Sequence, residues 1–283
     1  MNKKKINFTN IILIACLLVG LGLLLYPTVS DYWNSLRQSQ AVTSYADAVA
    51  SLQTEDYTAF WNDAVAYNES LTERNNNYLL SEEQKALYET MLMVSEYGAM
   101  GYIEIPSIAC TLPVYHGTDE KILQIAIGHL EWTSLPVGGN STHCVLSGHR
   151  GLPGAKLFTH LDKLVIGDIF MLKVLNEVLT YEVDNIAIVE PDEADLLHIE
   201  ENKDYCTLVT CTPYGINSHR LLVRGHRIEN SALESTARVT ADAMQIEPMM
   251  VAAIMAVPLI ILFMMILLLT DRKKNGGTQD EDE

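Results

Sequence analysis

The chain has 283 residues, room for one sizeable domain with accessories but not for two large ones. Its 36 Asp and Glu against 19 Lys and Arg leave a net charge of −17, which argues against nonspecific nucleic-acid binding, because phosphates call for clustered cations. A mean hydropathy of +0.10 with 19% charged residues is too apolar for a disordered chain, and five irregularly spaced Cys exclude a dense disulfide scaffold and offer no C-x-x-C pair for zinc.

Residues 1–10 carry Lys3, Lys4 and Lys5, and Ile11 to Leu25 are uncharged and almost wholly aliphatic. The span 11–27 with its flanks is long enough for a helix to cross the hydrocarbon layer. A cleaved secretory signal has the same design. No A-x-A-type site follows, although Thr28-Val29-Ser30 is small, and a retained anchor is the expectation.

Residues 30–97 contain neither Gly nor Pro, which reads as a helical extension. Tyr45, Val49 and Leu52, then Tyr57, Phe60, Trp61, Ala64 and Val65, recur at helical spacing. Glu73-Arg74-Asn75-Asn76-Asn77 is the natural break. A third helix is expected from Ser81, with Glu83-Gln84 as its capping partners, to about Tyr97.

Over residues 98–230 the pattern changes to short β-type runs with turn punctuation. Twelve of the 16 Gly and six of the nine Pro lie between Gly98 and Gly225. The expected strands are Gly101–Pro106, Phe170–Leu175 and Val178–Val183 flanking an Asn176-Glu177 turn, Ile186–Val189, Tyr205–Cys211 and Leu221–Val223. Together they predict a mainly β, closed or nearly closed domain. A linker at 231–248 leads to an uncharged run, Met249–Thr270, that predicts a second membrane helix. Arg272, Lys273 and Lys274 open a charged tail at 271–283. With cations outside both apolar runs, the positive-inside rule places both termini in the cytoplasm and the strongly acidic middle outside.

Cys211 lies at a predicted strand end, just before Pro213 and Gly215, and Arg220 opens the next strand nine residues on. An antiparallel return would set the guanidinium beside the thiol, where a cation favours thiolate and its N–H fork can hold an oxyanion. Alone, Cys211 fits a buried structural thiol as well as a nucleophile. Among eight His, His116 and His129 read as loop or turn residues, His198 as part of an acidic stretch and His226 as following a turn Gly. His149 differs, ending the apolar run from Cys144 between Gly148 and Gly151. Cys110 and Cys144 read as small apolar fillers in strands. Cys206 sits on the opposite strand face from Cys211.

Thr207-Leu-Val-Thr-Cys211 with Arg220, and Leu146-Ser-Gly-His149-Arg-Gly-Leu-Pro153 upstream, resemble a sortase. The likeness runs from Gly101 to Ile228, through Gly-Tyr-Ile-Glu-Ile-Pro at 101–106, Pro-Val-Tyr-His-Gly at 113–117 and Thr-Ser-Leu-Pro-Val-Gly-Gly at 133–139. The string from Cys211 to Gly225, the helical extension and the second apolar run are similar to class C sortases, the pilus-assembling branch. The resemblance implies a closed sortase-type β-barrel and a cysteine transpeptidase of Gram-positive cell surfaces. It implies Cys211 as nucleophile, His149 as general acid/base and Arg220 as the oxyanion or substrate-positioning cation, with His219, Arg150 and Arg224 as framework. It implies pilin precursors bearing an LPXTG-like signal and an acceptor pilin Lys as partners, and requires no metal or organic cofactor. Attachment of surface proteins to cell-wall amines and a silent pilin scaffold are the competing readings. One departure stands out. Class C sortases commonly carry a lid with an Asp-Pro-aromatic anchor, and this chain has no Pro between residues 28 and 105. Either the lid is missing or a segment such as Asn77–Leu80 replaces it.

Overall fold

The computed structural model describes residues 8–72, 79–95, 98–230, 258 and 260. The predicted break at 73–77, the first half of the candidate lid segment, and nearly all of the linker, second apolar run and tail lie outside the described residues.

The chain divides into two compact units between Tyr32 and Trp33. Helix α1, Phe8–Ala50, does not stop at the end of the apolar run but continues through Pro27. Its first part exposes Leu13, Leu18, Val19 and Leu23, and an 18-residue window there reaches a mean hydropathy of 2.4. Tyr26, Tyr32 and Trp33 follow, also exposed, with the Arg37 guanidinium 5.6 Å from the Trp33 ring. Such amphipathic aromatics gather at membrane interfaces.

The three expected helices of the extension are the rest of α1, α2 (Thr54–Thr72) and α3 (Glu82–Thr90). Glu55 and Asp56 occupy the first turn of α2, where carboxylates favour the helix dipole. The capping box of α3 forms as read from Ser81 and Gln84. The helix ends at Thr90 rather than near Tyr97, because the Met91 carbonyl accepts a hydrogen bond from His116 Nε2 at 2.7 Å and Leu92 turns to a φ of 55°.

Each helix then plugs one buried polar side chain into the barrel. From α1, the Tyr45 hydroxyl donates to Met100 O (3.1 Å) and accepts from Leu175 N (2.8 Å). From α2, the Asn68 amide pairs with both main-chain groups of Leu135. From α3, the Tyr88 hydroxyl accepts from Gly117 N at 2.9 Å and lies 2.9 Å from His129 Nδ1. Buried main-chain groups must find partners, and here helix side chains supply them.

Eight strands close the barrel: β1 (Ala99–Ile105), β2 (Cys110–His116), β3 (Ile127–His129), β4 (Thr142–Ser147), β5 (Ile169–Val174), β6 (Glu177–Val189), β7 (Asp204–Thr212) and β8 (His219–Ile228). Their order is β1-β2-β3-β4-β7-β8-β6-β5, closed by β5 on β1. The pairs β2–β3 and β4–β7 are parallel and the others antiparallel. The expected mainly β fold is thus present, with differences in detail. His116 and His129, read as loop residues, close the parallel strands β2 and β3, and His129 is fully buried. The β5–β6 turn is Leu175-Asn176, one residue earlier than expected; Leu175 takes a φ of 52°, and the Tyr45 hydroxyl secures its N–H. Ile186–Val189 is no separate strand but the continuation of β6 beyond a bulge at Val183/Asn185. Gly225 marks no turn. It lies inside β8, where a Cβ would come within 2.7 Å of Phe170 and 2.9 Å of Tyr181.

Strand alternation sorts the apolar residues into two clusters. Cys144, Leu146, Cys206, Leu208, Leu221 and Val223 point inward to the main core, which also takes Tyr45, Tyr67 and Tyr88 from the helices. Val145, Val189, Leu197, Val209 and Leu222 form a second cluster on the outer face of β4, β7, β8 and β6.

Candidate active site

That outer face carries the predicted site residues. Cys211, half-buried, is the penultimate residue of β7, one short of the strand end expected for it. It is directly opposite Arg220 in β8, and Arg220 is opposite Val189 in β6. Directly opposed residues share a face, so thiol and guanidinium stem stand side by side as the antiparallel return predicts. Arg220 Nη1 donates to the carbonyls of His219 (3.2 Å) and Asn217 (3.4 Å).

His149 follows the end of β4. The parallel register pairs Ser147 with Val209, and Gly148 N donates to Val209 O at 3.0 Å. His149 comes two residues after Ser147, as Cys211 comes two residues after Val209. Thr210, which faces inward, donates its hydroxyl to Gly148 O at 2.7 Å, and Phe158 N donates to His149 O, so the main chain on both sides of the imidazole is tied down. Cys211 and Arg220 are thus paired across β7 and β8, and His149 lies two residues past the end of the neighbouring β4.

The floor continues along the same face with the pairs Val209–Leu222 and Thr207–Arg224. Asn185, Ala187 and Leu196 join Thr207, Leu222 and Arg224 around a small pocket. The wall is the β6–β7 connection, whose Leu197 packs into the outer cluster. His143 fastens that wall to the floor: Nδ1 donates to His198 O at 2.8 Å and Nε2 accepts from the Thr207 hydroxyl at 2.7 Å. Burial pulls its pKa down to about 4, so the ring is neutral, as this one-donor, one-acceptor arrangement requires.

The remaining candidates fall into place around these residues. Arg150 reaches Asp162 and lies 5.7 Å from the Tyr214 ring, bracing the β7–β8 connection. Arg224 is held by Asp184 at 3.0 Å and Glu200 at 3.2 Å. His219 lies 3.3 Å from Glu190. All three side chains are thus engaged by carboxylates. Cys110, Cys144, Cys206 and Cys211 are free thiols. Burial pushes Cys110 up to about 12, which makes it inert. Cys206 faces the core, opposite in register to Cys144 on the neighbouring strand, and away from Cys211. Among the described residues no three His, Cys, Asp or Glu side chains gather as a metal cage.

Sequence reasoning missed Glu120, on the short helix α4 (Glu120–Leu123), whose Oε2 lies 3.5 Å from His149 Nε2. It also missed Thr207 and Leu222 as floor residues, although period-two alternation counted back from Cys211 and on from Arg220 marks both.

The sortase domain family model matches residues 103–228. Sortase D of Bacillus subtilis is 31% identical over 133 residues, which are 46% of this chain and 64% of that protein, so the match spans just under two thirds of its length. The crystal structure of sortase C1 from Streptococcus agalactiae is 50% identical, with a TM-score of 0.66, and the match covers 68% of this chain and 99% of that one. The sortase C of Streptococcus pneumoniae, from a crystal structure concerned with catalysis and pilin substrate specificity, is 44% identical with a TM-score of 0.61, over 67% of this chain and 97% of that one. With an eight-stranded closed barrel and half its aligned residues shared with a sortase C, the chain belongs to the sortase family, in its class C branch, and is a cysteine transpeptidase.

Proposed function

We propose that this protein is a membrane-anchored pilin polymerase, with Cys211 as nucleophile, His149 as general acid/base and Arg220 as oxyanion or substrate-positioning cation. The observation that carries the reading is the cross-strand pair of Cys211 with Arg220, with His149 just past the end of β4, the strand that pairs with β7. An extended LPXTG-like sorting signal lies along the floor of that outer face. The Cys211 thiolate attacks the Thr carbonyl, and the tetrahedral oxyanion is held by Arg220 and main-chain N–H groups. Protonated His149 passes its proton to the leaving Gly amine, leaving a thioacyl enzyme. A Lys amine of the next pilin attacks that thioester, gives up a proton to His149, and releases Cys211 with an isopeptide bond formed. The apolar start of α1 anchors the enzyme, and the cations outside both apolar runs support cytoplasmic termini with the barrel outside.

The similarity to a sortase C concerned with pilin specificity supports a pilin as substrate. Co-expression with a candidate pilin tests the reading. Wild type is expected to give a ladder of covalent pilin polymers on a denaturing gel, and Cys211→Ala none. A single wall-linked species from wild type would instead assign the enzyme to surface-protein anchoring, and unchanged pilin monomer would make it a scaffold.

A further inference from the structure

His149 is held asymmetrically. Its Nε2 is shut off from solvent and makes no hydrogen bond, yet the side chain as a whole is 27% exposed, so the exposure falls on other ring atoms. The charged group facing Nε2 is the Glu120 carboxylate, with Oε2 at 3.5 Å, an ion-pair distance slightly beyond a good hydrogen bond. Glu120 is itself placed. Gln124, one helical turn on, donates from Nε2 to Oε1, and Gln38 of α1 donates to the carbonyl of Ile125, just past α4, at 2.8 Å. The Gln124 amide, and after it the His149 ring, hold the Glu120 carboxyl below its ordinary range, so it is ionised wherever the enzyme works. Arg150, next in the chain, is turned to Asp162 and Tyr214, and Cys211 and Arg220 pair with each other across β7 and β8.

We propose that Glu120 is a positioning residue for His149: its carboxylate accepts a hydrogen bond from Nε2–H, leaving Nδ1 as the nitrogen that exchanges protons with Cys211 and the substrate amine. This rests on the reading of His149 as general acid/base. A neutral imidazole has one donor and one acceptor. If Nε2 carries the fixed proton, Nδ1 is bare and able to take the thiol proton. Once Nδ1 is protonated, the nearby carboxylate favours the imidazolium that must later protonate the leaving amine. A base oriented by a third group is the general logic of activated nucleophiles. At 3.5 Å the pair stands just short of a hydrogen bond, and catalytic hydrogen bonds often tighten only when substrate binds.

The test compares Glu120→Ala and Glu120→Gln with wild type in the full chain, using a peptide carrying an LPXTG-like signal. Glu120→Ala is expected to lower kcat about tenfold with little change in KM, the scale of losing a supporting partner. Glu120→Gln keeps an acceptor oxygen but no charge. It should recover part of kcat while the limb of the pH profile on which imidazolium is lost moves to lower pH. Both variants should change the ring 15N shifts of His149. Glu120→Ala with wild-type kcat, pH profile and ring shifts would overturn the pairing while leaving an inactive His149→Ala to uphold the catalytic reading. An active His149→Ala would overturn that reading, and this role with it, even if the ring shifts respond to Glu120.

Discussion

Removing one oxygen, in Tyr88→Phe, tests how the helical extension is held. The Tyr88 hydroxyl sits 2.9 Å from both Gly117 N and His129 Nδ1. His129 Nε2 lies 2.8 Å from the Ser134 carbonyl and donates to it, and the Tyr88 hydroxyl also lies 3.2 Å from the His129 carbonyl. Tyr88 and His129 are 1% and 0% exposed, and water does not reach the gap. Phe fills nearly the same volume, so packing is kept, but the Gly117 N–H and His129 Nδ1 lose their partners. Each orphaned buried group costs about 1–3 kcal/mol, for a total of about 2–6 kcal/mol, a large share of the stability of an ordinary domain. Urea unfolding followed by tryptophan fluorescence reads the difference. A loss below about 0.5 kcal/mol would mean that the hydroxyl is not a structural plug and that α3 is held by apolar packing alone.

Stability should also fall in mild acid. His143 and His116 are both pulled down to about 4, chiefly by burial, while in the unfolded chain each takes its proton near 6.5. Between those values the unfolded state binds more protons, so each ring subtracts about 1.4 kcal/mol per pH unit as pH falls from 6.5 towards 4. Burial raises Asp204, which acts with the opposite sign at the acid end. The upper half of the window is therefore the place to measure, and a flat urea midpoint there would contradict the buried neutral state of both rings. Arg220→Lys keeps the charge but loses the planar fork, and kcat should drop about 10²-fold; near-wild-type turnover would remove Arg220 from the oxyanion. Deleting residues 73–79, which spares the Ser81 capping box, should leave the alkylation rate of Cys211 unchanged, because the chain lacks the Pro-based lid anchor. A marked acceleration would identify that segment as a working lid.

Much of this protein was legible in one dimension because the governing interactions are local. Helix follows from the Gly- and Pro-free stretch after Ser30, the α3 start from Ser81 and Gln84, and β structure from period-two alternation around Ile103 and Leu208. The end of α3 was not legible, because it depends on His116, 25 residues downstream of Met91. The same holds for the β5–β6 turn, shifted by a hydroxyl from Tyr45, 130 residues upstream of Leu175. His129 read as a loop residue because its burial comes from a helix docked over it.

For the site, the amino-acid order marked the residues proposed to carry the chemistry: a thiol before a strand-ending Pro, a guanidinium opening the next strand, and an imidazole between glycines. Only tertiary structure decided that the end of β4, which leads into His149, lies beside β7, since that depends on a parallel pairing whose partners Ser147 and Val209 lie far apart in the chain. It alone brought Glu120 to His149. Hydrogen-bonding partners within a turn or hairpin are set by spacing, whereas partners across a closed barrel are set by how every strand between them pairs.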